Sequence, residues 1–161
     1  KSLDFIGLRG LSLVCNAAYI HSRVRFEEGA PERDRPLAGQ SPYLVNAGLF
    51  YQHDDKGISA SLLYNRIGKR IESVGVPMQN QNEDIPDIYE MPRNSLDLTF
   101  SKKIGKVVEI KAGIQDMLNS KIEYKQFVKL ADENGGKRER EQLVRSYRPG
   151  VDINVGVSLK F

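Results

Sequence analysis

The chain has 161 residues, 40% of them hydrophobic and 28% charged, and its 24 basic and 21 acidic side chains leave a formal charge of +3. That length allows one domain with its own core, and the lack of any run of 18 or more apolar residues excludes membrane-spanning helices. The totals do not exclude a transmembrane barrel, whose strands are apolar on one face only and so keep mean hydropathy low.

The first twenty residues, KSLDFIGLRGLSLVCNAAYI, have a basic start and an apolar middle. Asp4 and Arg9 interrupt the apolar part and no cleavage signature follows, so they are not read as a signal peptide. Leu3 and Phe5 look like the tail of a strand already under way, which makes the chain part of a longer protein, and Leu8 to Gly10 reads as a tight turn. Leu11, Leu13, Cys15, Ala17 and Tyr19 then form an apolar row at period two. Cys15 is the single cysteine, so it has no partner for an internal disulfide and reads as a small apolar filler.

A polar stretch from Glu27 to Ser41 leads to the next row, in which Val45, Ala47, Leu49 and Tyr51 alternate with Asn46, Gly48, Phe50 and Gln52. The tight turn HDDKG carries the Asp and Gly that hairpins require. Ala60, Leu62 and Tyr64 follow against Ser59, Ser61 and Asn65, and a second polar stretch runs from Ser73 to Pro92. Leu96, Leu98 and Phe100 alternate with Asp97, Thr99 and Ser101 before a second tight turn, KIGK. Val108, Ile110, Ala112 and Ile114 oppose Glu109, Lys111, Gly113 and Gln115, and a third polar stretch spans Val128 to Arg148. It holds the densest basic cluster, KREREQLVR, whose interleaved acids mark a solvated loop and not a nucleic-acid patch.

The last eleven residues show the clearest pattern: Val151, Ile153, Val155, Val157, Leu159 and Phe161 alternate without fault with Asp152, Asn154, Gly156, Ser158 and Lys160. This is the length of a tilted membrane-spanning strand, about 9 to 11 residues. Seven strands are expected in all, joined alternately by short and long connections, as in outer-membrane barrels with short periplasmic turns and long extracellular loops. The fold class read from the pattern is all-β, an antiparallel up-and-down transmembrane β-barrel. A soluble β-sandwich serving as a binding module fits the same alternation.

On the barrel reading, Phe5, Tyr51, Phe100 and Phe161 form a lipid-facing girdle at the periplasmic ends, and Tyr19, Tyr43 and Tyr64 form one at the extracellular ends. The lumen-facing candidates are Asp97, Thr99, Glu109, Lys111, Gln115, Asp152, Asn154, Ser158 and Lys160. Val14, Leu44, Phe50 and Leu63 are apolar on rows that should face the lumen, which suits a plugged interior better than a water-filled one. Ligand contacts are sought along the interior row and in the loops MQNQNEDIPDIYE and KLADENGGKREREQ. His21 and His53, the two histidines, fall at opposite ends of the wall and cannot form a catalytic or metal-binding pair, so neither an enzyme nor a metal site is expected and no cofactor is called for.

The segments RPLAGQSPYLVNAGLFYQHDDKGISASLLYNRIGKRI and NSLDLTFSKKIGKVVEIKAGIQDMLNSKIEYKQF, with the ending YRPGVDINVGVSLKF, resemble the last strands of TonB-dependent receptors. The local markers are QSPYLVN, IQDMLN and the terminal aromatic. The resemblance implies that residues 1–161 are the C-terminal portion of a barrel of about 22 strands, with its plug domain outside this sequence. It also implies active uptake of a scarce nutrient, such as an iron chelate, cobalamin, a peptide or a glycan, across the outer membrane of a Gram-negative bacterium; a passive porin or a barrel enzyme is the alternative. The partners so implied are the plug, the TonB complex reached through a segment of the missing plug, outer-membrane lipids and the outer-membrane assembly machinery, for which Phe161, Leu159 and Val157 resemble the assembly signal. A surface lipoprotein lid is compatible with the family, though no residue here carries it, and no nucleic acid is implied.

Overall fold

The computed structural model describes residues 9–28, 34–77, 85–131 and 137–159. Within them the protein is all-β: ten strands form two antiparallel sheets, and no helix occurs. The six-stranded sheet contains β1 (Leu11–Tyr19), β2 (Tyr43–His53), β3 (Ile58–Ile67), β6 (Arg93–Ile104), β7 (Val108–Gln115) and β10 (Asp152–Leu159) in that order. The four-stranded sheet contains β4 (Arg70–Ser73), β5 (Ile88–Glu90), β8 (Ile122–Ala131) and β9 (Lys137–Tyr147). Six chain paths underlie both sheets, because β3 runs on into β4, β5 into β6, β7 into β8 and β9 into β10. These paths match six of the seven expected strands; the seventh, around Leu3 and Phe5, lies outside the described residues.

Short and long connections fall at opposite ends of the six-stranded sheet. The turn between β2 and β3 closes with the Gly57 amide on the Asp54 carbonyl at 2.9 Å, and Gly57 takes a φ of 59° that few other residues tolerate. Gly105, at φ 61°, serves the turn between β6 and β7 at the same end, since Ile58 pairs with Lys102.

Side chains of paired residues share a face of a sheet, so the register sorts the six-stranded sheet into two surfaces. One carries Leu13, Leu49, Leu62, Leu98, Ile114 and Ile153 across all six strands, with Leu11, Tyr51, Ala60, Phe100, Ala112 and Val155 in the next row. No second sheet covers this surface among the described residues, and Val155 is 73% exposed. Tyr51, Phe100, Tyr19, Tyr43 and Tyr64 all lie on it, as do Val157 and Leu159; Phe5 and Phe161 lie outside the described residues. The opposite surface is mostly polar and holds Asp97, Thr99, Glu109, Lys111, Gln115, Asp152, Asn154 and Ser158; Lys160 lies outside the described residues.

The stretch from Val128 to Arg148 corrects the reading of a plain loop. Its described part is an ordered hairpin in which β8 pairs with β9 from Ile122 with Tyr147 to Ala131 with Lys137, with one register shift at Tyr124 and Lys125. In the first half of β9 charges alternate with charges, so no apolar row announces a strand there, yet the backbone ladder needs none. The stretch from Ser73 to Pro92 likewise contains β5, and the described part of the stretch from Glu27 to Ser41 folds back on β4, with the Gly39 amide donating to the Ile71 carbonyl at 2.8 Å. Ile71, Ile122, Tyr124 and Glu90 are the buried core of the described residues, and all four belong to the four-stranded sheet.

Candidate functional site

On the polar surface, Asn16, Asn46 and Asn65 pair across three strands, and the Asn65 side-chain amide donates to the Asn46 side-chain oxygen. Two rows further on, Ser61 and Thr99 share a hydroxyl hydrogen bond, and in the row after that Ser59 and Ser101 do the same at 2.8 Å. Satisfying one another in this way, these ladders leave few free polar groups. Between them lies an apolar island: Val14, Gly48 and Leu63 share a row, and the Phe50 ring lies over Gly48. A side chain at Gly48 would meet that ring at 2.7 Å, so the missing Cβ is what lets the ring lie flat. The island floors a hollow of about 290 Å³ with Asp97 and the asparagines among its lining. Three of the four apolar exceptions in the sequence thus converge, while Leu44 sits one row beyond the asparagines, beside Ala18 and Ile67.

Where β7 becomes β8, the segment IQDMLN makes a bend. Asp116 and Asn119 adopt φ values of 52° and 42°, which Asp and Asn tolerate better than most residues. Arg93 holds the Asp116 carboxylate at 2.7 Å, and the Asp97 carboxylate accepts the Asp116 amide at 2.8 Å. Across the bend, the Asn119 carbonyl accepts from Arg148 at 2.6 Å and its side-chain oxygen accepts the Gly150 amide at 3.1 Å. One short segment therefore bends both legs of the hairpin.

Beyond the bend, charge is matched closely. Arg70 grips the buried Glu90 carboxylate at 2.7 Å. Lys125 lies 2.6 Å from Glu141 and 3.4 Å from Glu123, and the Glu141 contact pushes its ammonium pKa up. Arg145 stacks 4.2 Å over the Tyr124 ring, which lies parallel to Tyr147. Burial, helped by the hydrogen bond with Tyr147, pushes the Tyr124 phenol up. The Lys69 ammonium stands 4.7 Å from the centres of both the Tyr89 and Phe127 rings, a geometry in which the ring faces attract a cation. Burial, with Asp87 adding to it, raises the Tyr89 phenol as well. From the two loops proposed for ligand contact, the described parts supply Tyr89 and Glu90 through β5 and Glu139 and Glu141 through β9; residues 78–84 and 132–136 lie outside the described residues.

The sequence reading missed a cluster on the apolar surface at the end away from the tight turns. Arg66 donates to the Asn94 side-chain oxygen at 2.9 Å and to the Tyr43 hydroxyl at 3.4 Å, and the Tyr64 hydroxyl donates to the same Asn94 oxygen at 2.8 Å. A signal was present, since a charge ends the row of Ala60, Leu62 and Tyr64. His21 follows β1 and His53 ends β2, and because Tyr19 pairs with Tyr43 they fall at opposite ends of the sheet. No group of three or more histidine, cysteine or acidic residues fit to hold a metal occurs among the described residues. Compared with family models, with curated proteins and with solved structures, the chain has no match in any of the three.

Proposed function

We propose that this chain is the C-terminal part of the wall of an outer-membrane β-barrel of the TonB-dependent receptor type, which imports a scarce nutrient into a Gram-negative cell. One observation carries the reading: the apolar surface of the six-stranded sheet is bounded at both ends. Between the row of Arg66 and Asn94 and the row of Ile58 and Lys102, the paired positions of β3 and β6 are Tyr64, Leu96, Leu62, Leu98, Ala60 and Phe100. Ile58 and Arg66 are eight positions apart, about 27 Å at about 3.4 Å per residue. A strand tilt of about 40° reduces this to about 21 Å, near the roughly 25 Å apolar band of outer-membrane barrels. Tyrosines at one end and Phe100 with Tyr51 towards the other suit the two interfaces of a bilayer.

The apolar island of Val14, Phe50 and Leu63 favours a plugged importer over a water-filled porin, because a plug domain can cover it and water would not. In this reading Asp97, Thr99, Lys111 and Asn154 face the lumen, and the exposed edge of β10 joins a strand from elsewhere in the protein. Val157 and Leu159, with Phe161, present the signal for the assembly machinery, and the TonB complex acts through the plug. The test is extraction of the full-length gene product from membranes. It should require detergent, migrate faster on gels before boiling than after, and be monodisperse only in micelles. A monodisperse protein in plain buffer would place the apolar surface against a core and overturn the reading.

A further inference from the structure

Among the described residues four arginines sit in ion pairs with carboxylates: Arg23 with Asp34, Arg70 with Glu90, Arg93 with Asp116 and Arg145 with Glu72. Arg66 has none within ion-pair distance among the described residues, and its hydrogen-bond partners are the neutral Asn94 and Tyr43. It is also the one arginine on the apolar surface of the six described strands, in a row with Val45 and Asn94. A half-buried guanidinium at the margin of a greasy surface calls for an anion to offset its charge.

The neighbourhood is built around it. Asn94 accepts hydrogen bonds from both Arg66 and Tyr64 on one side-chain oxygen and so helps to orient both groups. The Tyr43 ring reaches towards Arg66 across Gly68, where a Cβ would come within 2.7 Å of the ring. Tyr43 accepts from Arg66 through its hydroxyl oxygen, which leaves that hydroxyl's proton for a further acceptor. A planar guanidinium with spare donors and an adjacent hydroxyl matches a phosphate, which Arg binds through paired hydrogen bonds. Directly along the strands lie Leu62, Leu96 and Leu98, an apolar track on the side from which an acyl chain would come.

We propose that Arg66 and Tyr43 bind the phosphate of an anionic lipid head group, whose chains lie against the apolar surface below. The inference rests on the membrane reading above. Lys102 closes the other end of the same surface, but its ammonium is taken up by the Lys56 carbonyl, so the two ends are chemically unlike.

The test uses the full-length gene product, purified in a non-ionic detergent and examined by native mass spectrometry with phosphatidylglycerol, with neutral diacylglycerol, or with phosphatidylglycerol in competition with inorganic phosphate. Phosphatidylglycerol should be retained over diacylglycerol, and Arg66→Gln should lower that retention roughly tenfold, the scale of one charge-assisted hydrogen bond. Arg66→Lys should keep part of it, Tyr43→Phe should cost about threefold, and Lys102→Gln should change little. Each variant is first checked for the unboiled, fast-migrating form, so that a folding defect is seen as such; Arg66→Lys, which keeps the charge, then carries the comparison. Equal retention by wild type and Arg66→Gln, or equal loss in Lys102→Gln, would overturn the site. Displacement of the lipid by millimolar inorganic phosphate would overturn the lipid assignment. A protein that needs no detergent would instead defeat the membrane reading, a separate result.

Discussion

In the four-stranded sheet a fully buried Ile71 lies beside a matched set of charges, whereas in the six-stranded sheet one surface rich in leucine, isoleucine and valine has nothing upon it among the described residues. The first is built as a protein in water is built, with apolar groups inside and each buried carboxylate paired. The second can lower its free energy only by covering that surface with something else. One polypeptide thus crosses between the two sheets four times, leaving the six-stranded sheet at the bends near Gly68 and near Asp116 and returning from β5 into β6 and from β9 into β10. On the membrane reading, that difference marks the boundary between two surroundings.

The largest effect that tests this contrast should come from Val155→Arg, which puts a charge midway along β10 on the uncovered surface. On the membrane reading it costs about 2–4 kcal/mol of folding free energy in lipid vesicles, measured by denaturant titration. Asn154→Arg, one position along on the polar surface, should cost far less, and equal losses would erase the distinction between the surfaces.

Arg70→Ala comes next. It strips the buried Glu90 carboxylate of its partner and should cost about 2 kcal/mol, less than a fully enclosed pair because the Arg70 side chain is 35% exposed. Hydrogen exchange should quicken in β4, β5 and β8 and stay slow in β2 and β3. A second change, Glu90→Gln, should recover much of the loss. Quickening spread evenly over both sheets would mean that they unfold as one unit.

The smallest effect is alkaline. The Tyr124 and Tyr89 phenols are raised by burial and the Lys125 ammonium by Glu141, from ordinary values of 10.0 and 10.5. Each holds its proton more tightly when folded, so its contribution is complete below about pH 10 and is lost as the pH climbs through the folded values. Tyrosinate absorbance followed with hydrogen exchange should show the four-stranded sheet loosening first above that pH. Loosening that begins in β1 and β2 would contradict it.

How much of this was legible beforehand depended on how cleanly the side chains sort by face. In β2, β6, β7 and β10 apolar and polar residues alternate, and the strands could be read directly. In β9 the sequence KREREQ alternates one charge with another, so both surfaces look alike to a hydropathy pattern, and only the pairing of Lys125 with Glu141 reveals the order. The strands β4 and β5 are too short for any period to appear. Val14, Phe50 and Leu63 were visible as exceptions, but their meeting around Gly48 depends on register between three strands, which no single strand encodes. Arg66 was likewise visible as the charge that ends the row of Ala60, Leu62 and Tyr64, but its partners were not, since they come from β2 and β6.

The grip of Asn119 on Arg148 and Gly150 makes the hairpin of β8 and β9 an interchangeable cassette. Because both legs turn at one fixed height, residues added or removed between Phe127 and Arg138 would lengthen or shorten the projection while Asp152 stayed opposite Gln115. Evolution could then rewrite the sequence between the two legs without disturbing a single rung of the ladder beneath it.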